Sequence, residues 1–189
     1  MTKRPYLSKT RYISGLQCHL KLWYDCYQRE LQSPVSPAQQ AVFDTGHEVG
    51  RVATWRHPGG VFVDRDALGT AGALERTREV LGDKKVPAIF EAALRHANTQ
   101  VHVDILARAP RGRWDLIEVK SATRVKPPNE DDVAVQHWVL GGAGIDVRKA
   151  GILTLNNEYV YEGGDYDVDE LFAFNDLTDV ALEKHDEVT

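Results

Sequence analysis

Three features of the sequence predict an α/β fold, with helices sandwiching a mixed sheet. Helical and strand patterns follow one another in the order helices, three strands, helix, strand. The three central strands are separated by gaps of about three to four residues, the mark of an antiparallel meander. The helix after them leads into a short unbroken apolar run of the kind found in buried strands. At 189 residues the chain can build one domain with a genuine core. A single domain over 1–189 is therefore expected, with 1–35 as an N-terminal helical arm and 156–189 as an acidic C-terminal segment.

Residues 8–30 read as one amphipathic helix entered through Ser8 or Thr10, with Tyr12, Leu16, Leu20, Trp23 and Tyr27 near helical spacing. The Pro/Ser connection SPVSPAQQ follows. Ser36 before Pro37 is a helix start, an N-cap with proline in the first turn. That helix is predicted over 37–55 and carries Phe43, His47 and Gly50. HPGGVFVDRD is a turn leading to a short strand near Val61, and 70–82 is a further helix. The meander strands are placed at 87–96, 100–109 and 113–121. After the proline-containing loop KPPNED, DDVAVQHWVLGG is a helix stopped by Gly141 and Gly142. GILTLN is the buried strand, which YVYEGG either extends or pairs with. DVDELFAFNDLTDVALEKH reads as a terminal helix or helix pair with an acidic outer face. Trp23, Trp55, Trp114 and Trp138 are read mostly as core.

Composition, at 42% hydrophobic and 27% charged, is that of an ordinary soluble globular chain rather than a disordered one. No apolar run approaches the roughly 20 residues that span a bilayer. The basic start has no apolar segment of signal-peptide type, so the cytoplasm is the default location and no membrane partner is expected. The net charge of −5 is unevenly distributed. Residues 156–189 hold eleven acids and one lysine, whereas 1–30 hold six bases and two acids. A second basic cluster comprises Arg108, Arg111, Arg113, Lys120, Arg124 and Lys126. Such clusters are either solvated surface or phosphate contacts. Cys18 and Cys26 are too few for a closed metal site and read as buried thiols.

The most informative stretch is 101–123, VHVDILARAPRGRWDLIEVKSAT, two strands joined by a Pro-Arg-Gly turn. The first carries Asp104. The second ends in Glu118, Val119 and Lys120, so that Glu118 and Lys120 project to the same face. A carboxylate in an apolar strand is costly without a partner. Asp104 needs either a metal or a salt bridge with Lys120, and the metal is the favoured reading. Two acids and an ammonium on one sheet face suit phosphodiester hydrolysis: the acids hold a divalent cation that activates water, and the lysine neutralises charge developing on phosphate.

Seven blocks, LSKTRYISGLQC, FDTGHEVG, IFEAAL, VHVDIL, LIEVKSAT, DDVAVQHWVL and GILTLNNEYVY, occur in an order that resembles the RecB-like nuclease domains of the PD-(D/E)xK superfamily, related to the CRISPR-associated exonucleases. The resemblance implies a restriction-endonuclease-like mixed sheet flanked by helices. It also implies a metal-dependent deoxyribonuclease acting on DNA ends or single strands. On this reading Asp104 and Glu118 bind metal together with the Val119 carbonyl, and Lys120 positions or activates water. His47 is an additional metal ligand, which favours Mn²⁺ over Mg²⁺. Glu91 either binds metal, directly or through water, or orients His47 or Lys120. Gln136 contacts a phosphate or the catalytic lysine, although the tyrosine that often follows four residues later is Leu140 here. Asp132, one turn before Gln136 on the same face, is either an N-terminal helix acid or a weak member of the site, and the structural role is favoured. Arg124 and Lys126 are candidate nucleic-acid contacts. His102 and the other histidines are read as structural.

Relatives in this group use an early cysteine with three late ones for a [4Fe–4S] cluster. Cys18 matches the early position, but no cysteine follows Cys26. No cluster is expected in this chain, which is either a cluster-free form or a piece of a longer protein with an additional domain or partner. Two rival readings stand beside the nuclease: a non-catalytic nucleic-acid-binding module that kept the fold, and a regulatory domain whose acidic segment is its contact surface.

Overall fold

The computed structural model describes residues 6–188. Strand β1 (Leu7–Ser8) leads directly into α1 (Lys9–Gln17), whose N-terminus is capped by the Ser8 side chain accepting from the Arg11 N–H. Extended backbone at Cys18 breaks the helical run, and α2 (His19–Tyr27) sets off in a new direction. Helix α3 (Pro37–Ala53) is capped by Ser36 with Pro37 in its first turn, as its sequence predicts. After β2 (Val61–Phe62) comes α4 (Arg65–Gly82), interrupted at Gly69, whose φ of 67° leaves an unbroken helix only over 70–82.

The meander follows at β3 (Ala88–His96), β4 (Thr99–Arg108) and β5 (Trp114–Lys120). Helix α5 (Pro127–Gly142) crosses over to β6 (Val147–Leu155), which lies parallel to β5. The chain continues through α6 (Val168–Leu171), β7 (Phe172–Asp176), α7 (Thr178–Glu183) and α8 (His185–Val188). The result is an α/β fold with a seven-stranded mixed sheet in the order β2-β3-β4-β5-β6-β7, and β1 pairing with β4.

Two apolar layers hold the helices to the sheet. On one face Ala73 and Val80 of α4 and Val133, Val139 and Leu140 of α5 pack on Ile89, Val103, Leu106, Leu116 and Ile152. On the other, Val52 and Ala53 at the end of α3 and Phe172 pack on Phe90, Ile105, Ala107 and Leu153. Burying each large aliphatic side chain contributes roughly 1.5–3 kcal/mol, so these two layers supply most of the favourable free energy of folding.

The structure departs from the sequence reading in several places. The helix expected over 8–30 is two helices, and Leu16, Leu20, Trp23 and Tyr27 face outward rather than into a core. Cys18 lies exposed at the break and Cys26 is half-buried, so neither is the buried thiol expected. Trp114 is core and Trp138 packs against it, but Trp23 and Trp55 are exposed. FAFND is an edge strand antiparallel to β6, where a helix was predicted. YVYEGG forms neither strand nor helix. The acidic segment is built into the fold, since it supplies β7 and the buried Phe172 and Ala181. Among the described residues no helix is long and apolar enough to cross a membrane.

Gly151 on β6 pairs with Asp176 of β7. A Cβ there would fall against the Asn175 carbonyl oxygen and the Phe174 ring. Gly151→Ala is expected to destabilise the protein by about 1–3 kcal/mol through overpacking, read as a lower urea midpoint with an unchanged slope.

Candidate functional site

The site grows from a fork in the sheet. Strands β4 and β5 pair from Arg108–Trp114 to Ile105–Ile117 and then part. The next register position would set Asp104 opposite Glu118. Here a side chain replaces the ladder, because the Val119 N–H donates to Asp104 Oδ2 at 2.7 Å. On the far side of β4 the β3 register brings Glu91 opposite Asp104. Glu91 has a φ of 56°, a left-handed conformation that is rare for a residue inside a strand.

That conformation reverses the side-chain alternation. Ile89 faces the α4/α5 core, yet so do Ala92 and Leu94 beyond Glu91. On β4 the same reversal separates Val103 from Leu106, on either side of Asp104. The His102 ring hydrogen-bonds the Glu91 backbone and lies 3.1 Å from Gln100 Nε2. His102 thus braces the distortion, a structural role as its position on β4 suggests. Three carboxyl groups consequently stand abreast on β3, β4 and β5. They share a cleft of about 1020 Å³ with Phe43, Gly46, His47 and Gly50 of α3, with Val119 and Lys120, and with Arg51 and Arg65.

The vacated edge of β4 is taken by β1, which pairs in parallel at Leu7–Thr99 and Ser8–Gln100. Lys9, the next residue, is thereby delivered to the fork. Its Nζ donates to Glu118 Oε1 at 2.8 Å and to Oε2 at 2.9 Å. Lys120 Nζ donates to Glu118 Oε1 at 2.6 Å and to Asp132 Oδ2 at 2.8 Å. Gln136, fully buried one turn after Asp132 on α5, donates from Nε2 to Glu118 Oε2 at 2.9 Å. Lys9 Nζ also lies 3.3 Å from Asp132 Oδ1, near enough for charge attraction but off the hydrogen-bonding direction. Glu118, 2% exposed, thus accepts four hydrogen bonds and has no lone pair to spare.

The electrostatics divide the site in two. Burial pushes the Glu118 carboxyl up, but Lys9 and then Lys120 outweigh it and hold the group well below the usual carboxylate range. Burial followed by the Glu118 charge pushes Asp104 up to about 8, with only partial relief from Lys9 and the Val119 N–H. Glu91 is raised by the same two causes in the same order. Burial would pull Lys120 down, but Glu118 and then Asp132 more than reverse it, so the ammonium persists at neutral pH.

Of the residues singled out from the sequence, His47, Glu91, Asp104, Glu118, Val119 and Lys120 line one cleft. Gln136 reaches the same group from within the fold, bonding Glu118 rather than lysine. For Asp132 the structure favours site membership over the helix-start role preferred from sequence: it holds Lys120 and faces Lys9. Arg124 and Lys126 are exposed on the loop after β5, outside the cleft lining. Nor does Arg108 surround the site, because it clamps the carbonyls of Val86 and Asp83 and stacks on Trp114 at 4.2 Å. Lys9, Arg51 and Arg65 were missed. Nothing local distinguishes Lys9 from its basic neighbours, since only the β1–β4 pairing brings it to the fork.

Three groups fit a hard divalent cation with one nitrogen donor: Asp104 Oδ1, the Glu91 carboxylate and the His47 ring, which accept or donate no hydrogen bond among the described residues. Glu118 fits only if a lysine releases it. Among the described residues the donors share the cleft without converging on one point.

No protein-family model matches this sequence. No curated protein matches it either. Among solved structures, the crystal structure of SSO0001 is similar over 100% of this chain and 79% of that one, with a TM-score of 0.42 and 11% identity.

The raised Asp104 carboxyl has a thermodynamic signature. Unfolded it ionises near 3.8 and folded near 8, so between those values the folded protein binds more protons and loses stability as pH rises. Asp104→Asn removes this titration. In EDTA its melting temperature is expected to exceed that of the wild type by a margin that widens from pH 5 to pH 8. A margin that is flat or narrows over that range contradicts the assignment.

Proposed function

We propose that this chain is a cytoplasmic, metal-dependent deoxyribonuclease that hydrolyses phosphodiester bonds at DNA ends or in single strands. One observation carries the reading: Glu91, Asp104 and Glu118 stand abreast at the fork of the sheet, with the Lys120 ammonium beside them on an open cleft. The family resemblance of the seven sequence blocks points the same way.

Mg²⁺ or Mn²⁺ would be held by Asp104, Glu91 and His47, with the Val119 carbonyl and Glu118. Bound there, it would supply Lewis acidity and lower the pKa of water. The chain's own groups do the rest. Arg51 and Arg65 on the cleft wall attract the phosphate backbone. Asp104, pushed up to about 8 in the metal-free protein, would ionise as a cation is bound, and the Glu91 carboxylate accepts a hydrogen bond from water and orients it for in-line attack on phosphorus. Lys120 stays protonated, so it serves as a donor to the phosphoryl and leaving oxygens rather than as a base. In the attack the water proton passes to the Glu91 carboxylate, one P–O bond forms and the other breaks, and the 3′ or 5′ oxygen departs with a proton supplied by the Lys120 ammonium.

A second reading, a non-catalytic nucleic-acid-binding module, is favoured by one specific observation: every lone pair of Glu118 is engaged by the protein itself. End-labelled single- and double-stranded DNA incubated with Mn²⁺, Mg²⁺ or EDTA separates the two. Metal-dependent cleavage is expected, reduced about 100- to 1000-fold in Lys120→Ala, the usual effect of losing one charge-stabilising group. Cleavage unchanged in a folded Lys120→Ala overturns the role of Lys120. DNA binding that is indifferent to metal, with no cutting, establishes the binding module.

A further inference from the structure

We infer that Lys9 is a built-in counter-cation of the site, which holds Glu118 in the metal-free protein and yields it when a divalent cation binds. Metal entry and docking of the N-terminal helices would then be coupled. This rests on the metal-site reading above and deepens it.

The argument starts from charge. Glu118, Asp132, Lys9 and Lys120 form a closed network of two acids and two bases. Lys120 belongs to the same strand as Glu118, two residues on, and its position is set by β5 itself. Lys9 is different. It lies 109 residues away in sequence and reaches Glu118 from the first turn of α1, bridging both carboxylate oxygens. A cation that bridges both oxygens of a carboxylate occupies the approach that a metal would use. Like charges a few ångströms apart repel strongly at a site shielded from water, so a divalent ion on the Glu118 oxygens competes with Lys9 in its present place.

Lys9 is also one of the ties between the arm and the sheet, beside the short β1–β4 pairing. Helix α2 buries no residue, and α1 buries only Ser14. Strand β1 contributes two residues of pairing. Tyr12 and Ile13 of α1 are only half-buried, so the bonds from Lys9 to Glu118 add to a partial apolar contact in fixing α1 over the fork. A ligand shifts a conformational equilibrium only through differential affinity for the two states. The metal has that differential here, because it competes with Lys9 for the same oxygens.

The test is Mn²⁺ titration by calorimetry on wild type, Lys9→Met and Asp104→Asn, together with amide hydrogen exchange on the wild type with and without saturating Mn²⁺. Lys9→Met is expected to bind Mn²⁺ at least about tenfold more tightly than wild type, and Asp104→Asn to lose binding. Amides of 9–17 in the wild type are expected to exchange faster once Mn²⁺ is bound. Equal or weaker binding by Lys9→Met, or unchanged or slower exchange of 9–17, overturns the proposal while leaving the metal site intact. Mn²⁺ binding by neither wild type nor Lys9→Met overturns both. Should Lys9→Met fail to fold, the wild-type exchange result decides alone.

Discussion

Where β4 and β5 part, two carboxylates would face each other across a ladder position, and that constraint shapes everything around it. Adjacent buried acids repel, and the sheet can accommodate them only by separating the strands and bringing in cations. The Asp104 carboxylate takes over the hydrogen bond that the Val119 N–H would otherwise make to a neighbouring strand. The gap opened on β4 is filled by β1, and β1 determines where α1 begins. On the other side, the left-handed Glu91 backbone turns a third acid toward the same cleft. Topology, arm position and site composition therefore all follow from one interruption of regular pairing.

The charges do not balance evenly, and the imbalance is informative. Glu118 and Asp132 are matched by Lys9 and Lys120, with Gln136 completing the shell of Glu118. Removing one member of such a network usually costs about 3–5 kcal/mol, because the remaining charge is left buried and uncompensated. Among the described residues Asp104 and Glu91 form no ion pair of their own, and both are raised by burial and by Glu118. A site that keeps two under-compensated acids on an open cleft gives up stability to retain affinity for positive charge. Perturbed carboxyls of this kind cluster at functional centres, and the cleft walls carry the histidine and arginines that such a centre would use.

The N-terminal helices obey different rules from the rest of the fold. Leu16, Leu20, Trp23 and Tyr27 are carried by two helices rather than one, and they point outward. The arm meets the sheet through the β1–β4 pairing and through Lys9 on Glu118, while the Arg11 guanidinium ties the carbonyls of Tyr6 and Asp25 together within the arm itself. Polar anchorage is more easily exchanged than an apolar core, because water or an ion can replace each bond individually.

Much of this was legible in the sequence. The meander, the capped start of α3, the crossover helix and the buried strand after it all follow from short-range periodicity and from Ser, Pro and Gly placed at their boundaries. Asp104, Glu118 and Lys120 were legible for the same reason: an acid in an apolar strand is conspicuous, and i, i+2 residues share a face whatever the fold. FAFND failed because five residues carry too little periodicity to separate an edge strand from a helical turn. The helical spacing of the arm's apolar residues holds only within α1 and within α2, because the extended backbone at Cys18 breaks the run, and periodicity says nothing about what a face meets. The sequence by itself determined the order of the central elements from α3 to β6, the placing of helices about a mixed sheet and the local acid–lysine pair, because these depend on interactions within a few residues. The tertiary structure alone decided the fork, the reversal at Glu91, the recruitment of Asp132 and the arrival of Lys9, because pairing between charges 109 residues apart exists only once the strands between them have found their register.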